Sequence, residues 1–168
     1  MHRNPIIISI IRESRTDDKR TPLVPRQVKE LISKYPNLKI LVQPSKNRCF
    51  KDENYFSAGA KIEEDISSSD IILGVKEVDI SALIKNKTYL FFSHTSKIGK
   101  DNNQATQGTP GMSKKELLKE ILKKKITLID YENIRDISRK VHRYLGFGRF
   151  AGIVGCYNTL NLHLKIKQ

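Results

Sequence analysis

Short apolar runs and helical patterns alternate along the chain. The segment IIISIIR (6–12) is brief, rich in β-branched residues and nearly unbroken, which predicts a buried strand. A charged stretch follows, ESRTDDKR (13–20), and then Thr21 as N-cap with Pro22 in the first turn predicts a helix start. Val28, Leu31, Ile32 and Tyr35 recur at i, i+3, i+4 and i+7, one apolar helical face that ends before Pro36. LKILVQP (38–44) predicts a second strand, closed by its proline. A short helix over 52–57 is expected to end at Gly59, with the strand-like AKI (60–62) after it.

The second half repeats the theme. SSSDIILGVKE (67–77) places a polar cap before a fourth apolar run, and KTYLFFSH (87–94) is a fifth, rich in aromatic residues. Ser113 and Glu116 stand in capping-box register at the head of SKKELLKEILKKK (113–125), whose Leu117, Leu118, Ile121 and Leu122 are expected to face inward. ITLIDYE (126–132) predicts a sixth strand, and FAGIVGCYNTLNLHL (150–164) a helix rich in small residues. GKDNNQATQGTPG (99–111) reads as a flexible loop. Strands alternating with helices imply an α/β fold, a mainly parallel sheet covered on both faces, Rossmann- or flavodoxin-like.

Polar side chains cluster at one type of position, the carboxyl end of a predicted strand. Arg12 and Glu13 follow the first run, Lys76 and Glu77 the fourth, His94 the fifth, and Asp130 and Glu132 the sixth. In open α/β sheets ligands bind in the crevice outside these ends. A parallel sheet therefore gathers a lysine, a histidine and several carboxylates along one edge. Histidine titrates near neutrality and a partly desolvated lysine can approach it, a pairing suited to general acid–base work. The four histidines, His2, His94, His142 and His163, lack metal-ligand spacing, so no metal site is expected.

The segment Gly146-Phe147-Gly148-Arg149-Phe150-Ala151-Gly152 imitates a dinucleotide fingerprint, but its third glycine is one residue late and no acidic residue follows at the required distance. It reads instead as a tight turn feeding a closely packed helix, with Gly152 and Gly155 allowing close approach.

Composition narrows the class further. With 168 residues, 38% of them hydrophobic and 29% charged, the chain suits one globular domain and excludes disordered and fibrous classes. No apolar run is long enough to cross a bilayer and no signal-peptide pattern opens the chain, so the expected compartment is cytoplasmic. Only two cysteines occur, Cys49 and Cys156, far apart and with no CxxC spacing, which excludes a disulfide framework or a cysteine-built zinc site. The 31 Lys+Arg against 18 Asp+Glu leave a net charge of +13, which points either to a polyanion such as nucleic acid or to a lysine-rich solvated surface.

Six ordered segments, RESRTDDKRTPLVPRQVKEL, LVQPSKNRCFKDENYFSAGAKI, DIILGVKEV, KTYLFFSHTSK, ITLIDYE and GFGRFAGIVG, together resemble the N-terminal catalytic domain of the alanine dehydrogenase, transhydrogenase and saccharopine dehydrogenase family. FFSHT followed by DYE resembles most closely the branch of saccharopine dehydrogenase (lysine-forming) and lysine–2-oxoglutarate reductase. The resemblance implies that Lys76 and His94 are the acid–base pair acting on the amine, carbinolamine and imine. It implies that Glu77 and Glu132 are nearby carboxylates that tune them, and that Arg20 and Arg143 contact substrate carboxylates. A guanidinium fork fits a carboxylate in bidentate fashion. The resemblance further implies NAD or NADP as cofactor, bound by a separate Rossmann domain. Residues 1–150 are then the substrate-side domain and 151–168 a connecting helix towards a nucleotide-binding domain that this chain lacks. On this reading the chain is a fragment and does not complete the redox reaction by itself. An alanine dehydrogenase or transhydrogenase domain, and a non-catalytic polyanion-binding module, are the alternatives.

Overall fold

The computed structural model describes residues 4–97, 113–135 and 144–166. Arg143, the segment 99–111 and the basic residues just before Tyr144 lie outside them. The chain divides into two compact units, Met1–Tyr131 and Glu132–Gln168.

The first unit is a six-stranded sheet. Its strands are β1 (Ile6–Ile10), β2 (Leu38–Val42), β3 (Lys61–Ile62), β4 (Ile71–Leu73), β5 (Thr88–Phe91) and β6 (Thr127–Asp130). All five pairings are parallel and the order is β3-β2-β1-β4-β5-β6. This is the doubly wound order of the Rossmann fold, so of the two expected arrangements the flavodoxin-like one falls away. The chain reverses its direction of travel between β1 and β4, and a crevice opens outside their carboxyl ends.

Strand alternation sends successive side chains to opposite faces, and two separate cores result. Ile10, Ile40 and Val42 pack with Val28 of α1 (Pro25–Lys34) and Tyr55 of α2 (Asp52–Ser57) on one face. Leu41, Ile72, Tyr89 and Phe91 pack with Leu117 and Ile121 of α3 (Lys114–Lys123) on the other. The expected helices on both faces are thus present. In α3 the capping box is complete: Ser113 Oγ accepts from the Glu116 amide and Glu116 Oε2 accepts from the Ser113 amide.

Two local expectations are corrected. The first helix begins at Pro25, not at Thr21-Pro22. Thr21 Oγ1 is engaged elsewhere, donating to Leu23 O at 3.1 Å and lying 2.9 Å from the Tyr55 hydroxyl, while Gln27 Oε1 reaches back to the Val24 amide at 3.0 Å. Proline at the first helical position leaves no unsatisfied amide there. In α3, Leu117 and Ile121 are buried and Leu118 is half-buried, but Leu122, at the far edge of the apolar stripe, is 70% exposed.

The second unit carries α4 (Gly148–Ile166). A Cβ built on Gly152 or Gly155 meets no atom within 4 Å among the described residues, so the close approach expected at those glycines is not found there. No helix among the described residues is long and apolar enough to cross a membrane.

Candidate functional site

The carboxyl ends of β1, β4 and β5 stay zipped beyond the strands themselves. Ile11 donates to Leu73 O, Gly74 to Leu90 O, and Phe92 to Val75 O, at 2.9–3.1 Å. Gly74 suits this close approach: a Cβ there would stand 3.1 Å from Ile11 Cγ2, a tight contact that the Ile11 side chain would have to relieve. The residues just beyond are therefore held by backbone, and side chains emerging from them are well placed.

Lys76 and Glu77 leave the end of β4. Lys76 is half-buried and shares a cavity of about 360 Å³ with Arg15, Asp17, Asp18, Lys19 and Arg20. Glu77 is buried, and its Oε1 lies 3.7 Å from His94 Nε2. At that separation the two form an ion pair when the imidazole is protonated, but not a hydrogen bond. Glu77 Oε2 is buried and has no hydrogen-bond partner among the described residues. A buried carboxylate oxygen left in that state is expensive unless something else supplies a donor.

His94 follows β5 with φ of +54°, in the left-handed region that a residue with a Cβ seldom adopts. Its flanks explain the persistence of this conformation. Ser93 is fully buried and donates to Asp130 Oδ2 at 2.5 Å, and the Thr95 hydroxyl and amide meet Ser93 Oγ at 2.8 and 3.2 Å. Asp130, at the end of β6, thus anchors the turn that carries the histidine. Local strain of this kind survives where the surroundings over-determine it.

Arg20 lines the same cavity as Lys76. Its fork is engaged within the chain: Nε and Nη2 reach the two oxygens of Asp18 at 2.8 and 2.5 Å. The Arg20 guanidinium holds the Asp18 carboxyl below the usual carboxylate range, and Asp18 raises Arg20 in turn. A substrate carboxylate that takes this fork must displace Asp18. Glu132 is buried in the single turn of 3-10 helix Tyr131–Asn133 and opens the second unit.

One residue at this edge has a larger structural part than sequence reasoning assigned it. Glu13 was legible only as an acid following a buried strand. Its carboxylate accepts the Val75 amide at 2.7 Å and the Lys76 amide at 2.9 Å, crossing from the end of β1 to the end of β4. Burial pushes its pKa up, and those two amides oppose the shift. A second, larger cavity of about 700 Å³ lies over the ends of β1 and β2; it touches Glu13 and Arg15 but not Lys76 or His94.

The comparisons with known proteins agree with this architecture. Alpha-aminoadipic semialdehyde synthase, mitochondrial, from Bos taurus is 41% identical over 144 residues, 86% of this chain and 14% of that protein. The Mus musculus protein of the same name is 35% identical over 161 residues, 96% of this chain and 16% of that protein. The Arabidopsis thaliana alpha-aminoadipic semialdehyde synthase is 33% identical over 148 residues, 86% of this chain and 13% of that protein. The chain therefore spans less than a fifth of the length of these relatives. Among solved structures, a transhydrogenase from Sinorhizobium meliloti superposes with a TM-score of 0.60 at 19% identity, over 79% of this chain and 37% of that one. An L-alanine dehydrogenase does so with a TM-score of 0.61 at 17% identity, over 80% and 35%. These two establish the fold. Residues 9–153 match the family described as alanine dehydrogenase/PNT, N-terminal domain, and the chain belongs to that family.

Proposed function

We propose that this chain is the substrate-side domain of an oxidoreductase of the saccharopine dehydrogenase or lysine–2-oxoglutarate reductase type, with residues 1–150 forming that domain and 151–168 leading towards a nucleotide-binding partner domain. Identity of 33–41% to alpha-aminoadipic semialdehyde synthases supports this branch over alanine dehydrogenase and transhydrogenase, which share the fold at 17–19% identity.

The observation that carries the chemistry is the buried Glu77 carboxylate, 3.7 Å from His94 Nε2 through one oxygen and lacking a hydrogen-bond partner among the described residues at the other. A substrate amine or ammonium supplies the missing donor. His94, held at the tip of its anchored turn, takes or returns a proton at the nitrogen that becomes amine, carbinolamine or imine. Lys76, from the adjacent strand end, is the second acid–base group, and Arg20 receives a substrate carboxylate in exchange for Asp18. The family resemblance gives Glu132 the part of a tuning carboxylate and Arg143 that of a contact to a substrate carboxylate.

NAD or NADP supplies the hydride in such reactions. The described residues do not suit a dinucleotide. The turn after β1, where this fold ordinarily receives pyrophosphate on glycines, has no glycine and carries the Glu13 carboxylate. Hydride chemistry is accordingly assigned to the partner domain, and the residues of this chain bind, orient and move protons.

Lys76→Met keeps the stem and removes the amine. In a protein where the chain turns over, the variant is expected to slow turnover by about 10²–10⁴-fold, the usual worth of a general acid–base group, with its unfolding midpoint unchanged. Activity within twofold of the parent, with roughly tenfold taken as the smallest meaningful loss, would overturn the assignment.

A further inference from the structure

In a sheet of this strand order, the place just beyond β1 is where backbone amides ordinarily face an anionic ligand. Here the consecutive amides of Val75 and Lys76 point at one spot, and the chain's own Glu13 carboxylate fills it, Oε1 on Val75 at 2.7 Å and Oε2 on Lys76 at 2.9 Å. Paired amides of this kind form an anion-binding concavity. The ladder of β4 ends at Leu73, so no strand pairing holds Val75 and Lys76 from the β1 side. On the β5 side Phe92 donates to Val75 O at 3.1 Å.

We propose that Glu13 is the positioning residue for Lys76: its carboxylate, seated on the two amides, fixes the backbone from which Lys76 and Glu77 project into the crevice. The inference rests on the reading of Lys76 as an acid–base residue. The charged and titratable groups around Glu13 are Asp18 and Arg20 from the segment after β1, Lys76 itself, Arg48 before α2, and Tyr131 after β6. Burial raises the Glu13 pKa above the ordinary glutamate value, and the field of Glu13 in turn contributes to raising Tyr131.

The test uses amide spectra of the chain. In the parent protein the Val75 and Lys76 amide resonances follow a single titration above the ordinary glutamate value of about 4.3. Their hydrogen exchange is at least about tenfold slower than in Glu13→Ala, as expected for bonds to a charged acceptor. Glu13→Gln keeps one acceptor oxygen, so one of the two amides stays protected and the other does not. Formate added to Glu13→Ala refills the concavity, restores both amides, and restores kcat where turnover is measured, with KM little changed. A merely structural role would not respond to formate. Unchanged protection in a folded Glu13→Ala, or no response to formate, would overturn the proposal. If neither variant folds, the parent titration decides alone, and separate titration of the two amides would refute it. Should the amides behave as expected while Lys76→Met remains fully active, the acid–base reading falls and the clamp stands.

Discussion

The turn that presents His94 depends on one buried hydroxyl. Ser93 Oγ donates to Asp130 Oδ2 at 2.5 Å and receives the Thr95 amide at 3.2 Å, with Ser93 and Asp130 both buried. Ser93→Ala removes a donor from a buried carboxylate and an acceptor from an amide. A hydrogen bond to a charged group contributes about 1.5–3 kcal/mol. For a chain of this size, about 2.5 kcal/mol lowers the unfolding midpoint by roughly 5–10 °C. Urea unfolding of Ser93→Ala, Asp130→Asn and the double variant gives the coupling energy directly. We expect coupling of at least about 1 kcal/mol, an unchanged dependence on urea, and a His94 resonance that moves towards that of a flexible loop. Additive single effects, or a destabilisation below about 0.5 kcal/mol, the level of ordinary surface changes, would refute the anchoring argument.

Other consequences are separable. Leu117→Ala is expected to cost about 2–5 kcal/mol, as for a buried leucine, while Leu122→Ala on the same helix stays within about 0.5 kcal/mol; thermal or urea unfolding distinguishes them. Tyr131 is half-buried, and desolvation together with the nearby Glu13 charge pushes it up to about 12. Its folded pKa lies above the free phenol value of about 10, so its contribution to stability is complete below that value and disappears as pH rises through the folded one. Phenolate absorbance should lose its latest-titrating component in Tyr131→Phe, and an unaltered titration curve would contradict the burial argument.

Elements whose signal is local were readable from sequence. The β-branched run of β1, the capping box of α3 and the short helix at Asp52–Ser57 each carry their cause within a few residues. The candidate acid–base residues were readable because parallel strands force their carboxyl ends to one edge. What escaped depended on distant partners. Thr21 carries a good cap signal, but Tyr55, thirty-four positions away, claims its hydroxyl. Leu122 fits the apolar stripe by identity, yet it lies at the far edge of a stripe centred on Leu117 and Ile121 and stays exposed. The turn that carries the left-handed His94 is tied through Ser93 to Asp130, which belongs to another strand. Glu13 is an ordinary acid in a charged segment until the sheet order sets the end of β4 beside it.

On the proposed reading, the crevice between β1 and β4, with the adjoining end of β5, receives the amine-bearing substrate. Amide spectra of this chain titrated with saccharopine test it most directly. Saturable shifts are expected, confined to Gly74–Glu77, Phe92–Thr95 and the residues around Arg20, weakened at least about tenfold by His94→Asn, the loss of one charge-assisted contact, with no such shifts on adding NADH. Shifts at the amino ends of the strands instead, or a NADH response at the β1 turn, would contradict it.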